Sequence, residues 1–125
     1  MPVTYEIDPI RGLVRTACTG FVTLEEVMTH FAALEQDPRR TGSFDVLLDL
    51  RGVTSNPETG QLRKAANRID PERTTLQFER CAIVASDLAL VGMAKLFAVF
   101  ARGRFRATTV VSTIEAAEQW LAQQV

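Results

Sequence analysis

Asp45-Val46-Leu47-Leu48-Asp49-Leu50 is a short apolar run bounded by turn residues, and its reading governs the rest of the chain. A run of this kind fits a central strand in a parallel sheet covered by helices on both faces. Arg80-Cys81-Ala82-Ile83-Val84-Ala85 is a second run of the same kind. Between them lies a loop, Arg51 to Gly60, carrying Gly52, Asn56 and Pro57, and then a helical pattern from about Pro57 to Ile69. The apolar stripe of that helix, Leu62, Ala65, Ala66 and Ile69, is narrow, so the helix is predicted to lie shallowly on the core. Asp70-Pro71 closes it, because the residue before a proline is driven out of the helical region.

Working outward to the N-terminus, Val3, Tyr5 and Ile7 alternate with polar residues, which is a strand signal. Asp8-Pro9-Ile10-Arg11-Gly12 has turn chemistry, and Leu13 to Thr19 reads as the second arm of an antiparallel hairpin. Thr23 and Glu26 have capping-box spacing ahead of a helix whose apolar face is Leu24, Val27, Phe31 and Leu34, ended by Asp37-Pro38. Toward the C-terminus, Ser86 or Asp87 caps a third helix over about Asp87 to Arg102, with Gly103 as its C′ residue. Arg106 to Ser112 is a last strand. Ser112 and Glu115 suggest a second capping box, opening a fourth helix through Gln123 that buries Ile114, Ala117 and Leu121, with Trp120 at the margin.

The order is therefore β-β-α-β-α-β-α-β-α. Strands alternating with helices require crossover connections, so the expectation is an α/β fold with a mixed, mostly parallel sheet and four helices, forming a single domain over residues 1–125. The chain has no internal repeat, low-complexity segment or linker.

Composition agrees with this. In 125 residues, 46% are hydrophobic and 23% charged, which is ordinary globular usage and argues against disorder. Fourteen basic against fifteen acidic residues leave a net charge of −1, which argues against a strongly basic nucleic-acid binder. Met1 to Glu6 contains no basic segment followed by an apolar run, so no signal peptide is expected. Cys18 and Cys81 sit inside apolar strands and read as buried free thiols; a disulfide would require their strands to be neighbours. With no CxxC and one histidine, no metal or other cofactor is expected. These features together predict a cytoplasmic protein.

The third helix stands out. Thirteen of the fourteen residues from Leu88 to Ala101 are apolar or glycine, Lys95 being the exception. Leu90, Met93, Phe97 and Phe100 share one face; Leu88, Val91 and Val99 form another, with Leu96 between. At 1.5 Å per residue the segment covers about 21 Å, short of the roughly 30 Å hydrocarbon core of a bilayer, so stable membrane insertion is not expected. Three readings stay open: the helix is wholly buried, it pairs with its copy in a homodimer, or it borders a pocket for an apolar small molecule.

Catalytic signals are sparse. GxSxG, P-loop, GxGxxG and HExxH motifs are all absent from the sequence. His30, beside the Phe31 face, reads as a structural histidine. Asp45 and Asp49 lie on the same side of one strand, a spacing open to paired-carboxylate chemistry, although such an aspartate more often anchors a loop. Arg102, Arg104 and Arg106 alternate around Phe105; they read as solvated or ion-paired residues, or as an anion contact through their forked donors.

Asp49-Leu50-Arg51-Gly52-Val53-Thr54-Ser55-Asn56-Pro57-Glu58-Thr59-Gly60 resembles the strand–loop–helix of STAS domains, the fold of bacterial anti-sigma factor antagonists. In that family the loop ends Asp-Ser-Ser-Gly and the serine before the glycine is phosphorylated. Matching on Gly60 puts Thr59 at the phospho-acceptor position, Glu58 at the first serine and Pro57 at the aspartate. The whole chain is similar to the SpoIIAA-like, STAS/SEC14-type branch, through Gly12-Leu13-Val14-Arg15, Gly20-Phe21-Val22-Thr23, Ala82 to Leu88, Gly92-Met93-Ala94-Lys95 and Glu115 to Leu121. The resemblance implies an α/β fold with a mixed sheet and kinship with lipid-exchange domains.

Two functional expectations follow. The first is a non-enzymatic interaction module that meets a protein partner or second copy through the third helix and the Arg51–Gly60 loop. The second is carriage of an apolar small molecule or lipid, with Leu90, Met93, Phe97 and Phe100 as the wall and Arg102, Arg104 and Arg106 near its head group. Phospho-switching at Thr59 is a third.

Overall fold

Five strands and four helices follow one another in the expected order in the computed structural model, which describes residues 2–40 and 42–123. They are β1 (Val3–Asp8), β2 (Leu13–Gly20), α1 (Leu24–Gln36), β3 (Ser43–Val53), α2 (Thr59–Arg68), β4 (Gln77–Val84), α3 (Leu88–Phe100), β5 (Ala107–Val111) and α4 (Ile114–Ala122). The fold is α/β. Among the described residues no helix is long and apolar enough to cross a membrane.

One mixed sheet runs β1-β2-β3-β4-β5 in chain order, with β1 antiparallel to β2 and the other neighbours parallel. The hairpin turn is built by Asp8, whose carboxylate accepts from the N–H groups of Ile10 and Arg11 at 3.1 Å each, and by Gly12 at φ 62°. Three successive right-handed crossovers stepping the same way put α1, α2 and α3 on one face. Only α4 covers the other. The buried strand residues alternate accordingly: Leu47, Ala82 and Val84 pack on Ala117 and Leu121 of α4, whereas Cys18, Leu50, Cys81 and Ile83 turn toward Ala94 of α3.

The two faces are covered differently. Helix α4 rests directly on β3, β4 and β5, because Ala117 lets the helix backbone approach the sheet. On the other face the closest backbone approaches are those of α1 to β1 and of α3 to β5, the two edge strands, while α2 lies nearest α1 and α3; side chains reach further in, Leu34 of α1 packing with Val14 and Phe44 and Ala94 of α3 with Cys81 and Ile83. Helix α2 thus has its closest backbone neighbours in α1 and α3 and not in the sheet, in keeping with the shallow seat expected of it.

Several local expectations need correction. Strand β3 runs to Val53, so Arg51–Val53 belong to the sheet and not to the following loop. A register shift between Ala17 and Thr19 brings Thr19 opposite Gly52. A Cβ at Gly52 would meet Thr19 Cγ2 at 3.0 Å, which is why a glycine extends the strand there. Helix α2 begins at Thr59, two residues after Pro57. Helix α3 ends at Phe100, which moves Gly103, at φ 88°, one residue beyond the C′ position. Helix α4 is capped by Thr113 and not Ser112: the Thr113 hydroxyl accepts from the Ala116 N–H at 3.1 Å, so the Ser112–Glu115 box does not form. Strand β5 begins at Ala107, so Arg102, Arg104 and Arg106 all precede it and do not alternate along a strand.

Helix α3 is not wholly buried. Leu90 and Ala94 are buried, but Leu88 is 90% and Val99 51% exposed.

Candidate functional site

The space between the sheet and the roof of α1–α3 is a chamber of about 160 Å³. Its floor comes from the side chains of β2, β3 and β4 that point away from α4, among them Val14, Cys18, Leu48 and Ile83. Helix α1 supplies Leu24, Val27, Phe31 and Leu34, the whole stripe read from its sequence, together with His30 beside it. Of that stripe only Leu34 is fully buried. The others face inward yet remain half-accessible, as expected of side chains that border a chamber instead of packing into a filled core. Leu62, Ala65 and Ile69 of α2 and Met93, Ala94 and Phe97 of α3 complete the roof.

No lysine, arginine, aspartate or glutamate is among the lining residues. The polar groups there are few and mostly engaged. Ser55 Oγ accepts from the Val22 N–H at 3.0 Å, Gln61 Oε1 from the Glu58 N–H at 2.9 Å, and Thr23 is held by Glu26 in the capping box of α1. His30 differs. Its Nε2 lies 3.4 Å from Thr16 Oγ1, while its Nδ1 is buried with no hydrogen-bond partner among the described residues. The ring is flanked by Tyr5 and Phe31, at centroid distances of 5.3 and 5.4 Å. Burial in these surroundings pushes the imidazole down from its ordinary value to about 4, so it is neutral at pH 7.

Cys18 and Cys81 also line the chamber and are free and buried. They stand on β2 and β4 with β3 between, which separates them as disulfide partners. Burial raises Cys18 to about 11 and Cys81 to about 12, with smaller contributions from Asp49 and Asp45 respectively, so both are thiols and poor nucleophiles at neutral pH.

The residues singled out from sequence divide into separate groups. Met93 and Phe97 border the chamber; Leu90 is buried and does not. Phe100 packs with Ala66, Ile69 and Ala101, its ring under the Arg63 guanidinium at 4.9 Å. Arg104 donates to Asp70 Oδ2 at 3.0 Å and to the Ala66 carbonyl at 3.3 Å, and Arg106 lies 3.5 Å from Glu79. Arg102 is exposed, and none of the three arginines reaches the chamber. Thr59 is exposed at the first residue of α2.

Asp45 and Asp49 do share the α4 side of β3, but different arginines hold them. Arg80 Nη2 donates to Asp45 Oδ2 at 2.9 Å, and Arg51 Nη2 to Asp49 Oδ2 at 3.0 Å. The Arg51 hydrogen bonds hold the Asp49 carboxyl below its usual range, which suits an anchoring carboxylate and not a general acid. Among the described residues no group of three or more His, Cys, Asp or Glu side chains is placed to hold a metal.

Of the α3 wall expected from the sequence, Met93 and Phe97 border the chamber and Leu90 and Phe100 do not, and the α1 and α2 walls were missed. The available signal was the pair of stripes on α1 and α2, read there only as core. Neither a protein-family model nor a curated protein sequence matches the chain.

Proposed function

We propose that this protein is a non-catalytic binding module that holds a small apolar molecule between its sheet and helices α1–α3. The supporting observation is the chamber itself: about 160 Å³, bordered by inward-facing apolar side chains and free of charged ones. Ligand sites in proteins are concave and mostly apolar, with a few polar groups that orient the guest. The neutral His30, the unreactive thiols and the separately paired Asp45 and Asp49 favour binding over chemistry. Kinship with the SpoIIAA-like, STAS/SEC14-type branch belongs to this reading, on the match of Asp49 to Gly60 and on the element order. A cytoplasmic setting accords with two buried, unpaired thiols.

Toluene is the direct probe. It should raise the unfolding temperature of the protein and shift the methyl resonances of Val27, Met93 and Leu48, which border the chamber on three sides. Unchanged spectra and melting at saturating toluene would remove the reading.

A second reading, self-association or contact with a protein partner, is favoured by the outer edge of α3. Leu88 and Val99 are exposed large apolar residues of that helix. Light scattering on wild type and Val99→Asp separates the cases: a dimer that becomes a folded monomer supports it, and a wild-type monomer removes the homodimer.

A further inference from the structure

We infer that β5 is the edge through which two copies of this chain pair, antiparallel across a twofold axis at Thr109, so that their sheets join into one. The inference rests on the self-association reading above and gives it a location and a register.

The two edges of the sheet differ. Strand β1 carries Glu6 and Asp8, charges of the kind that guard an edge against pairing. Strand β5 reads Ala107-Thr108-Thr109-Val110-Val111, with no charge and no proline, and it pairs with β4 without a register shift. The Ala85 N–H donates to the Val111 carbonyl at 3.0 Å, so Val111 turns its backbone groups toward β4, as do Ala107 and Thr109 by the period of two. Thr108 and Val110 turn theirs to the open side. Among the described residues no backbone bond outside the sheet engages either of them.

The flanks of this edge are apolar too. Phe100 faces Ala66 and Ile69 of α2, so the opposite flank of α3, with the half-buried Val91 and Ala98, faces out past β5. Lys95, the one charged residue of that helix, is exposed. On the other side of the sheet Glu118 of α4 meets Arg15 on β2, so Ala116 and Trp120 lie on the flank toward β5, where Trp120 packs near Val111.

Charge selects the occupant and its direction. The exposed Arg102 and Arg106 precede β5, whereas the exposed Asp87 and Glu115 stand at its far end, at the starts of α3 and α4. An antiparallel copy brings the basic end of each strand to the acidic end of the other. The register that uses both outward residues sets Thr108 opposite Val110 of the copy, each pair exchanging its N–H and C=O groups, with Thr109 facing its own copy as a pair without hydrogen bonds.

That register is open to a direct test. At such a pair the Cα atoms stand roughly 4.5 Å apart, within the range of about 4.4–6.8 Å that a disulfide spans. Thr109→Cys should therefore crosslink on mild oxidation. Val111→Cys should not, because Val111 lies about 13 Å along the strand from its copy. Cys18 and Cys81 are buried and give no background. Light scattering on the intact wild type should give twice the mass of the 13.8 kDa chain. Thr108→Pro, which deletes an outward N–H and no bond to β4, should give a folded monomer. A dimer that survives Thr108→Pro, or that crosslinks equally through both cysteines, refutes the β5 edge while self-association stands. A wild-type monomer refutes both, and leaves the edge to an extended segment of another protein. Should Thr108→Pro fail to fold, the two cysteine variants decide.

Discussion

Arg80 on β4 is clamped to Asp45 on β3: its backbone N–H donates to Asp45 Oδ1 at 3.0 Å and its Nη2 to Oδ2 at 2.9 Å. The same guanidinium donates to the carbonyls of Leu121 at 2.7 Å and Gln123 at 2.9 Å, where α4 ends. These carbonyls have no partner within the helix, and the negative end of the helix dipole adds to the attraction. One nearly buried cation thus ties the sheet to the helix that covers its second face. Replacing it with methionine keeps the apolar stem but leaves the Asp45 carboxylate and the helix end unpaired. Arg80→Met should destabilise the protein by about 3–5 kcal/mol, read from denaturant unfolding. Combining it with Asp45→Asn should cost clearly less than the sum of the two single changes. Strict additivity would show that the pair is not a unit.

His30 gives the stability a distinct acid limb. The folded state holds its imidazole at about 4, against an ordinary value of 6.5. Below 6.5 the unfolded chain takes up a proton that the folded chain refuses until about pH 4. Unfolding therefore becomes easier as pH falls through that window, and the stability present above 6.5 is lost there. The shift corresponds to about 3 kcal/mol across the window. Tyr5 and Cys18, which border the same region, are both raised and stay protonated throughout, so they add no slope. The paired carboxylates Glu35, Asp49 and Glu118 are held below their ordinary values by Arg68, Arg51 and Arg15, so their loss begins lower, near and below pH 4. Unfolding free energy measured from pH 4 to 8 should rise to about 6.5 and then level off. His30→Leu should flatten the rise, and an equal slope in both proteins would refute the assignment.

What was readable in the sequence follows from how local each feature is. Strand and helix identities rest on periodicity within a few residues, and the capping box of Thr23 and Glu26 is present. Cys18 and Cys81 read as buried because apolar strands surround them, and they are. The arginines were less legible. Arg104 meets Asp70, 34 positions away, and Arg80 meets Asp45, 35 positions away, and only the assembled sheet brings them together. The chamber was hidden for a similar reason. The stripes on α1 and α2 show which faces turn inward, but not that the backbones of α1 and α3 come closest to the edge strands while α2 lies nearest the two helices. His30 carries no local mark that separates a satisfied imidazole from one with a free nitrogen.

The start of α4 tests how finely a cap can be placed. Ser112 and Thr113 are adjacent hydroxyl residues, and only Thr113 accepts from the first turn, through Ala116. Thr113→Ala should therefore cost about 1 kcal/mol, typical for loss of an N-cap. Ser112→Ala, at an exposed position outside the helix, should stay within about 0.5 kcal/mol of wild type. Thermal unfolding of the two variants under one buffer condition ranks them, and the reverse order would return the cap to Ser112.

Filling the chamber from α2 separates a real space from an ordinary core. Ala65 is buried, stands in the middle of the helix and faces the chamber. In a close-packed interior, adding three carbons forces neighbours aside and costs about 1–3 kcal/mol. Over a chamber of about 160 Å³ the added side chain finds room instead, and each newly buried methylene contributes up to about 0.8 kcal/mol, offset in part by lost rotamer freedom. Leucine is also a good helix former, so the backbone does not oppose the change. Ala65→Leu should then be neutral or more stable than wild type by about 1 kcal/mol in denaturant unfolding, and it should abolish the toluene-induced rise in melting temperature. A loss of stability beyond 1 kcal/mol with toluene binding intact would mean that the new side chain does not enter the chamber.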